Sequence, residues 1–313
     1  MPQSDDVLLE DETLRDGLQM EQRVFSLEEK LDIYTHLKNS GIQRIQVGSF
    51  VHPKYVPQMA DTDEFIREIK NQGNDGPLLT GLILNSRGLD RALNCGLSHL
   101  SMSVSISNSH SIKNAGKPAA EALIEMSHLI QNAMQSGVVV RAGLQCAFGC
   151  VYDGKIEEQA VLNAAEKFIN AGASEINLAD STGMANPQSV RYLVNQIRLK
   201  FPETPVSLHL HDTRGLGLAN MYAGYCTGVR TFDVCSGGLG GCPYVRGASG
   251  NVPTEDAVNM FSVMGVATNI DIQDICATVA GLERILERKL PGRMCSILAS
   301  GIGNCGSKQK EEN

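Results

Sequence analysis

Three stretches of this 313-residue chain combine residue types suited to metal and carbanion chemistry. The first is Asp11-Glu12-Thr13-Leu14-Arg15-Asp16-Gly17, where an arginine adjoins a carboxylate ahead of a glycine turn. The second is His209-Leu210-His211-Asp212. Side chains alternate along a strand, so an extended backbone here puts both imidazoles on one face. The third runs from Gly237 through Gly240, Gly241, Cys242, Pro243 and Tyr244 to Gly247-Ala248-Ser249-Gly250-Asn251. Asp16, His209, His211 and a carbonyl oxygen of Asn251 make a mixed oxygen and nitrogen set for a divalent metal. Such a set suits Mg2+ or Mn2+, and its two imidazoles leave Co2+ and Zn2+ open. Arg15 beside it is a permanently charged planar donor, the group that a developing enolate oxygen requires. Cys242, between glycines and a proline, reads as a thiol on a mobile loop that can transfer a proton. Each residue alone has a plainer reading: two strand histidines satisfied locally, an arginine in a rim salt bridge, a cysteine as a small buried hydrophobe. Their shared position at strand ends favours the site.

The elements that must position them follow from the apolar periodicity. Eight short β-branched or apolar runs read as strands: Val7–Leu9, Arg44–Val47, Leu78–Leu84, His99–Ser105, Val138–Leu144, Glu175–Ala179, Val206–His211 and Thr231–Cys235. Amphipathic segments lie between them, including Leu27–Asn39, Thr62–Asn71, Ala119–Gln135, Glu157–Ala171, Pro187–Leu199 and Leu216–Thr227. Parallel strands need crossovers and cover on both faces, so strict β/α alternation over eight units predicts a closed (β/α)8 TIM barrel. No G-x-G-x-x-G follows the first strand, which counts against an open dinucleotide-binding sheet. In such a barrel the C-terminal strand ends carry the active site, and strands one, seven and eight are neighbours. Further helical pattern at Pro253–Leu290 and a glycine-rich, charged tail complete one expected catalytic domain over 1–313, with a flexible segment from about 301.

Composition narrows the partners. With 27 basic and 35 acidic residues the formal charge is −8, and no Lys/Arg cluster offers a footprint for nucleic acid or an anionic membrane. No apolar run is long enough to span a bilayer, and the acidic N-terminus lacks a signal-peptide pattern, so a cytoplasmic protein is expected. Nine cysteines spread over the chain argue for reduced thiols rather than a disulfide scaffold. The Cys146-x3-Cys150 spacing lacks a second pair to complete a structural zinc site.

Leu14-Arg15-Asp16-Gly17-Leu18-Gln19, His209-x-His211-Asp212-Thr213, Gly238-Leu239-Gly240-Gly241-Cys242-Pro243-Tyr244 and Gly247 to Asn251 together resemble the 3-hydroxy-3-methylglutaryl-CoA lyase family of the DRE-TIM metallolyase superfamily. Ser49 to Lys54, Val56 to Met59 and Gly149 to Lys155 resemble the same branch. The resemblance implies a homodimeric, metal-dependent lyase cleaving a 3-hydroxyacyl-CoA by retro-Claisen chemistry to an acyl-CoA and a keto acid. By that likeness Asp16, His209, His211 and Asn251 are the metal ligands and Arg15 holds the enolate oxygen. Cys242 protonates the enolate carbon, with His209 or Asp16 as its proton-transfer partner. Gln19, Gln46, Ser49 and Arg214 are expected near the substrate; Ser107, Asn108, Lys113 and Asn114 match the region that meets coenzyme A.

Two positions depart from the family's pattern. Gln46 stands in Ile45-Gln46-Val47 where the family carries a glutamate, and Arg214 stands where lyases often carry an aromatic residue. Glutamine keeps the shape but removes a charge, so Arg15 is expected to lose a carboxylate partner. Both changes make the pocket less negative, which suggests a different 3-hydroxyacyl-CoA or a related hydroxy acid. A condensing synthase running the same chemistry forward, and a barrel that binds metal and CoA without turnover, are the alternatives. Cys305 in the tail is a candidate for thiol oxidation.

Overall fold

The computed structural model describes residues 6–73, 75–241 and 250–300. Eight parallel strands close into a barrel in simple sequence order. They are β1 (Leu8–Asp11), β2 (Arg44–Ser49), β3 (Leu78–Ile83), β4 (His99–Ser105), β5 (Val139–Gln145), β6 (Glu175–Asp180), β7 (Val206–Leu210) and β8 (Thr231–Val234). The surrounding helices are α1 (Leu27–Asn39), α2 (Thr62–Asn71), α3 (Ser86–Asn94), α4 (Asn108–Ala115), α5 (Ala119–Gln135), α6 (Glu158–Asn170), α7 (Pro187–Lys200) and α8 (Gly217–Cys226). Beyond the barrel come α9 (Thr254–Val263), α10 (Ile272–Leu286) and α11 (Met294–Ala299), with α10 laid against α1. No helix among the described residues is long and apolar enough to cross a membrane.

Local chemistry sets these boundaries. Ser26 and Glu29 form a reciprocal capping box at the start of α1, and Asn186 with Ser189 does the same for α7, where Pro187 occupies the first turn. Leu9, Ile45, Val47, Ile176, Leu178 and Leu208 are buried in the apolar layer that unites strands and helices. The barrel lumen is different: it is filled with charge. Glu10 from β1 meets Arg141 from β5 at 3.0 Å and accepts from Thr80 of β3 at 2.6 Å, while Arg141 reaches Asp233 of β8 at 2.5 Å. Such contacts span the barrel and place these side chains inside it.

Three helices lie outside the helical segments expected from the sequence: α3, α4 and α11. α3 is held by Asn85, whose side chain accepts from the Gly88 amide at 2.9 Å, and α4 by Ser107, which accepts from His110 at 3.1 Å. Both are short and polar, so they carry little apolar period. The expectation of reduced thiols is corrected at one pair: Cys276 of α10 and Cys295 of α11 form a disulfide. They are nineteen positions apart in sequence, and the fold of α11 back onto α10 makes them neighbours. Cys242 and Cys305 lie outside the described residues, as does the expected flexible tail.

Candidate active site

β1 extends to Asp11, two residues beyond the run of apolar residues, and the chain then makes one wide turn over Thr13–Gly17. The Gly17 amide bonds back to the Glu12 carbonyl at 3.1 Å, an i to i−5 contact in place of a simple glycine turn. All five residues of this turn are buried, so Arg15 and Asp16 point into the mouth of the barrel together. Asp11 anchors the turn: one oxygen accepts from the Thr13 amide at 2.9 Å, and the other from the hydroxyls of Ser236 and Thr254 at 3.3 and 2.8 Å.

β7 delivers His209 and, one residue past its end, His211. Their Nε2 atoms lie 3.0 Å apart, close enough that a single proton or cation must sit between them. An isolated antiparallel bridge ties His211 to Asn251 and brings the returning chain over the strand end. The Asn251 side-chain nitrogen donates to Asp16 Oδ2 at 2.7 Å and to the Leu239 carbonyl at 3.1 Å, while its Oδ1 is buried without a partner. Glycine is required here twice over. Gly240 has φ +90, and a Cβ on it would come within 2.6 Å of both Asn251 Nδ2 and Asp16 Oδ2; a Cβ on Gly250 would lie 2.2 Å from the Gly238 carbonyl.

Charge states favour a cation. Burial would raise the Asp16 carboxyl, but Arg15, His209, His211 and the Asn251 hydrogen bond hold it down to about 2. Burial and the neighbouring His209 keep the His211 imidazole neutral, its pKa lowered to about 3. Burial alone would lower His209 as well, yet the carboxylates Glu12, Asp233 and Asp16 raise it. Its Nδ1 is 3.2 Å from Asp233 Oδ2, the arrangement that turns a histidine's Nε2 lone pair toward a metal. Ligand atoms of Asp16, His209 and His211 lie within 4.8 Å of one another. With the orphaned Asn251 oxygen, one anionic oxygen and two converging imidazole nitrogens, the residues present fit a divalent ion with positions to spare.

The other expected site residues separate into groups. Arg15 does not lack carboxylate partners: it is paired with both Glu12 and Asp16, and its Nε donates to the Gln46 side-chain oxygen. Gln46 also reaches toward Glu10 at 3.5 Å, so it lies beneath Arg15. Ser49 at the end of β2 has a buried hydroxyl without a partner, and Gln19 has a buried unpartnered oxygen. Arg214 donates to the carbonyls of Thr182 and Gly183, spending its charge on the loop after β6. Ser107 donates to Asp153 at 2.7 Å, Asn108 accepts from the Ala119 amide at 3.1 Å, and Asn114 donates to Gln145 at 3.3 Å. Lys113 lies 4.9 Å from the centre of the Tyr152 ring.

Four residues escaped the sequence reading: Glu12, Arg141, Asp180 and Asp233. Asp180 ends β6, accepts from the Met184 and Ala185 amides at 2.7 and 3.0 Å, and keeps Oδ2 buried without a partner. Burial pushes it up to about 6 against those amide bonds. Its position at a strand end was the available signal. Glu12 and Asp233 flank His209, and Arg141 links them from across the lumen.

With this geometry in hand, the chain can be set beside known proteins. Residues 6–281 match the family model described as HMGL-like. The (R)-citramalyl-CoA lyase of Chloroflexus aurantiacus is 38% identical over 91% of this chain and 92% of its own length. The HMG-CoA lyase of Bacillus subtilis superposes with a TM-score of 0.90 at 33% identity, over 96% of this chain and all (100%) of that one. An HMG-CoA lyase from Acinetobacter baumannii, in complex with coenzyme A and 3-methylmalate, gives 0.89 at 33% identity and 100% of both chains.

Proposed function

The chain belongs to the HMGL-like family of lyases, and from that premise we propose that it cleaves the carbon–carbon bond of a 3-hydroxyacyl-CoA thioester whose carboxylate sits close to the hydroxyl, as in citramalyl-CoA, releasing an acyl-CoA and a 2-oxo acid. The observation that carries this reading is the buried convergence of Asp16, His209, His211 and the unpartnered Asn251 oxygen beside Arg15. The substrate preference rests on the relative named a citramalyl-CoA lyase and on the neutral Gln46 beneath Arg15.

Mg2+ or Mn2+ held by these four residues would polarise the substrate's hydroxyl and carboxylate oxygens and make the hydroxyl acidic. The rest falls to the chain itself. Asp180, with a free oxygen and a pKa raised toward neutrality, is matched to accept the hydroxyl proton, a role otherwise open to His209 or Asp16. As the alkoxide carbon becomes a ketone, the bonding pair passes to the acyl-CoA fragment, and Arg15 meets the negative charge on its thioester oxygen. Cys242 is assigned to deliver the proton that converts the enolate carbon to a methyl group. Ser107 and Asn108, on the corner from β4 into α4, and Asn114 in the last turn of α4 are assigned to the coenzyme A arm.

The test is cleavage of citramalyl-CoA and 3-hydroxy-3-methylglutaryl-CoA by metal-depleted protein with Mn2+ or Mg2+ restored, followed by mass spectrometry. Metal-dependent release of acetyl-CoA and pyruvate, lost in Arg15→Met, supports the proposal. Preferential cleavage of 3-hydroxy-3-methylglutaryl-CoA overturns the substrate assignment, and silence with both overturns the reaction.

A further inference from the structure

Glu12 lies outside the Asp16, His209 and His211 group and forms with His209 and Asp233 a second carboxylate and imidazole cluster behind it. It follows β1 directly, is 1% exposed, and touches three cationic or ionisable partners. One oxygen pairs with Arg15 Nη2 and lies 3.4 Å from His209 Nδ1; the other is 3.2 Å from Arg141 Nη2. Every nitrogen of the Arg15 guanidinium is engaged: Nε by Gln46, Nη1 by Asp16 and Nη2 by Glu12. Asp16 must also serve a metal ion, and Gln46 is neutral. Glu12 is therefore the one carboxylate among the three Arg15 contacts not also assigned to the metal, and it can hold Arg15 against a nearby divalent cation, since two like charges in a buried site repel strongly.

Resting on the lyase reading above, we infer that Glu12 is a positioning residue with two separable tasks: it aims Arg15 at the developing enolate oxygen, and together with Asp233 it orients His209 for the metal. The first task requires a carboxylate against the guanidinium. The second requires one beside His209 Nδ1. Position 46 hydrogen-bonds to Arg15 and not to His209, so a carboxylate transplanted there can perform only the first.

The experiment is a charge transposition in the full chain, comparing the parent, Glu12→Gln, Gln46→Glu and the double variant. Mn2+ affinity is measured by titration of the apo-protein and turnover with the preferred acyl-CoA. Glu12→Gln is expected to lower kcat about 100-fold with KM changed less than threefold, and to weaken Mn2+ binding about tenfold. Adding Gln46→Glu is expected to recover at least tenfold in kcat while Mn2+ binding stays weak. A merely structural glutamate would show neither the rescue nor the split. Turnover of Glu12→Gln within twofold of the parent, or no rescue in the double variant, overturns the aiming of Arg15; unchanged Mn2+ affinity in Glu12→Gln overturns the orienting of His209. Should Glu12→Gln fail to fold, Glu12→Asp, which draws the charge back by one methylene, is expected to lose kcat about tenfold, and parent-like turnover overturns the inference. A parent that cleaves nothing refutes the lyase proposal instead, and the Mn2+ titrations still decide whether Glu12 orients His209.

Discussion

The two ends of the barrel lumen are both crowded with buried charge, yet they are built on opposite rules. At the N-terminal end each charged group meets an opposite one: Glu10 with Arg44 and Arg141, Arg44 with Glu175. At the C-terminal end groups of like character converge, with two imidazole nitrogens 3.0 Å apart, two carboxylates on one arginine, and oxygens of Asn251, Asp180 and Ser49 left without partners. The first pattern is ion-paired within the protein, with only Arg44 Nε and one Glu175 oxygen left over. The second is the pattern that, on the proposed function, a cation and a substrate would satisfy. A buried polar group without a partner costs free energy, so three orphaned oxygens around two converging imidazoles mark the C-terminal end more sharply than charge alone does.

The strongest way to break this contrast is to remove a ligand. His211→Ala is expected to weaken Mn2+ binding at least 100-fold and to reduce turnover by about 10³, measured by titration and acyl-CoA cleavage, while the apo-protein unfolds near the parent's midpoint. The reverse profile belongs to the other end. Glu10→Ala leaves Arg44 and Arg141 short of a buried partner and is expected to cost about 3 kcal/mol of stability in urea unfolding, with Mn2+ affinity within threefold of the parent. A large loss of Mn2+ affinity in Glu10→Ala would erase the distinction.

pH gives a smaller, graded test. Glu255 lies beneath the glycine loop, accepts from the Gly237 amide at 3.0 Å, and is pushed up by burial to about 7. A carboxyl with a raised folded pKa contributes stability fully below its unfolded value, and that contribution is lost as pH rises through the folded value. Apo-protein stability should therefore fall from about pH 4.5 to 7, and Glu255→Gln should flatten this decline by about 2 kcal/mol. Asp16 runs the other way: held at about 2, it stabilises above its unfolded pKa and ceases to do so only as pH falls through the folded value. The mildest effect is expected at the rim, where exposed Asn114→Ala should raise KM for the thioester about threefold without changing kcat or the unfolding midpoint, a difference of under 1 kcal/mol.

The strand pattern was readable because a buried parallel strand must be apolar on its helix-facing side, and the runs at 44, 78, 99, 175, 206 and 231 begin where the strands do. β1 runs two residues past its apolar run. Its end, Glu10-Asp11, is charged, and a rule that equates strand with apolar run stops before it. The same bias hid Arg141 and Asp233, which sit within strands but face a polar lumen rather than a core of branched aliphatics. Gln46 gives Arg15 a neutral partner, as expected, but the guanidinium is not left short of carboxylates. Position 46 does not decide this by itself, because the wide turn after β1 brings Glu12 round to the same guanidinium.

The order of residue types along the chain was sufficient to imply an eightfold β/α repeat, the strand ends that carry chemistry, and the family. Those inferences depend on local periodicity and on motifs contiguous in sequence. The partnerships depended on closure of the barrel. Glu12 and His209 are 197 positions apart, Asp16 and Asn251 are 235 apart, and Arg141 crosses from β5 to β8. Whether a buried acid is a ligand, a counter-ion or a support for another side chain is decided by which of those distant groups comes within hydrogen-bond reach. Strand tilt, the wide turn and the folding back of Asn251 supply that proximity, and no local pattern encodes it.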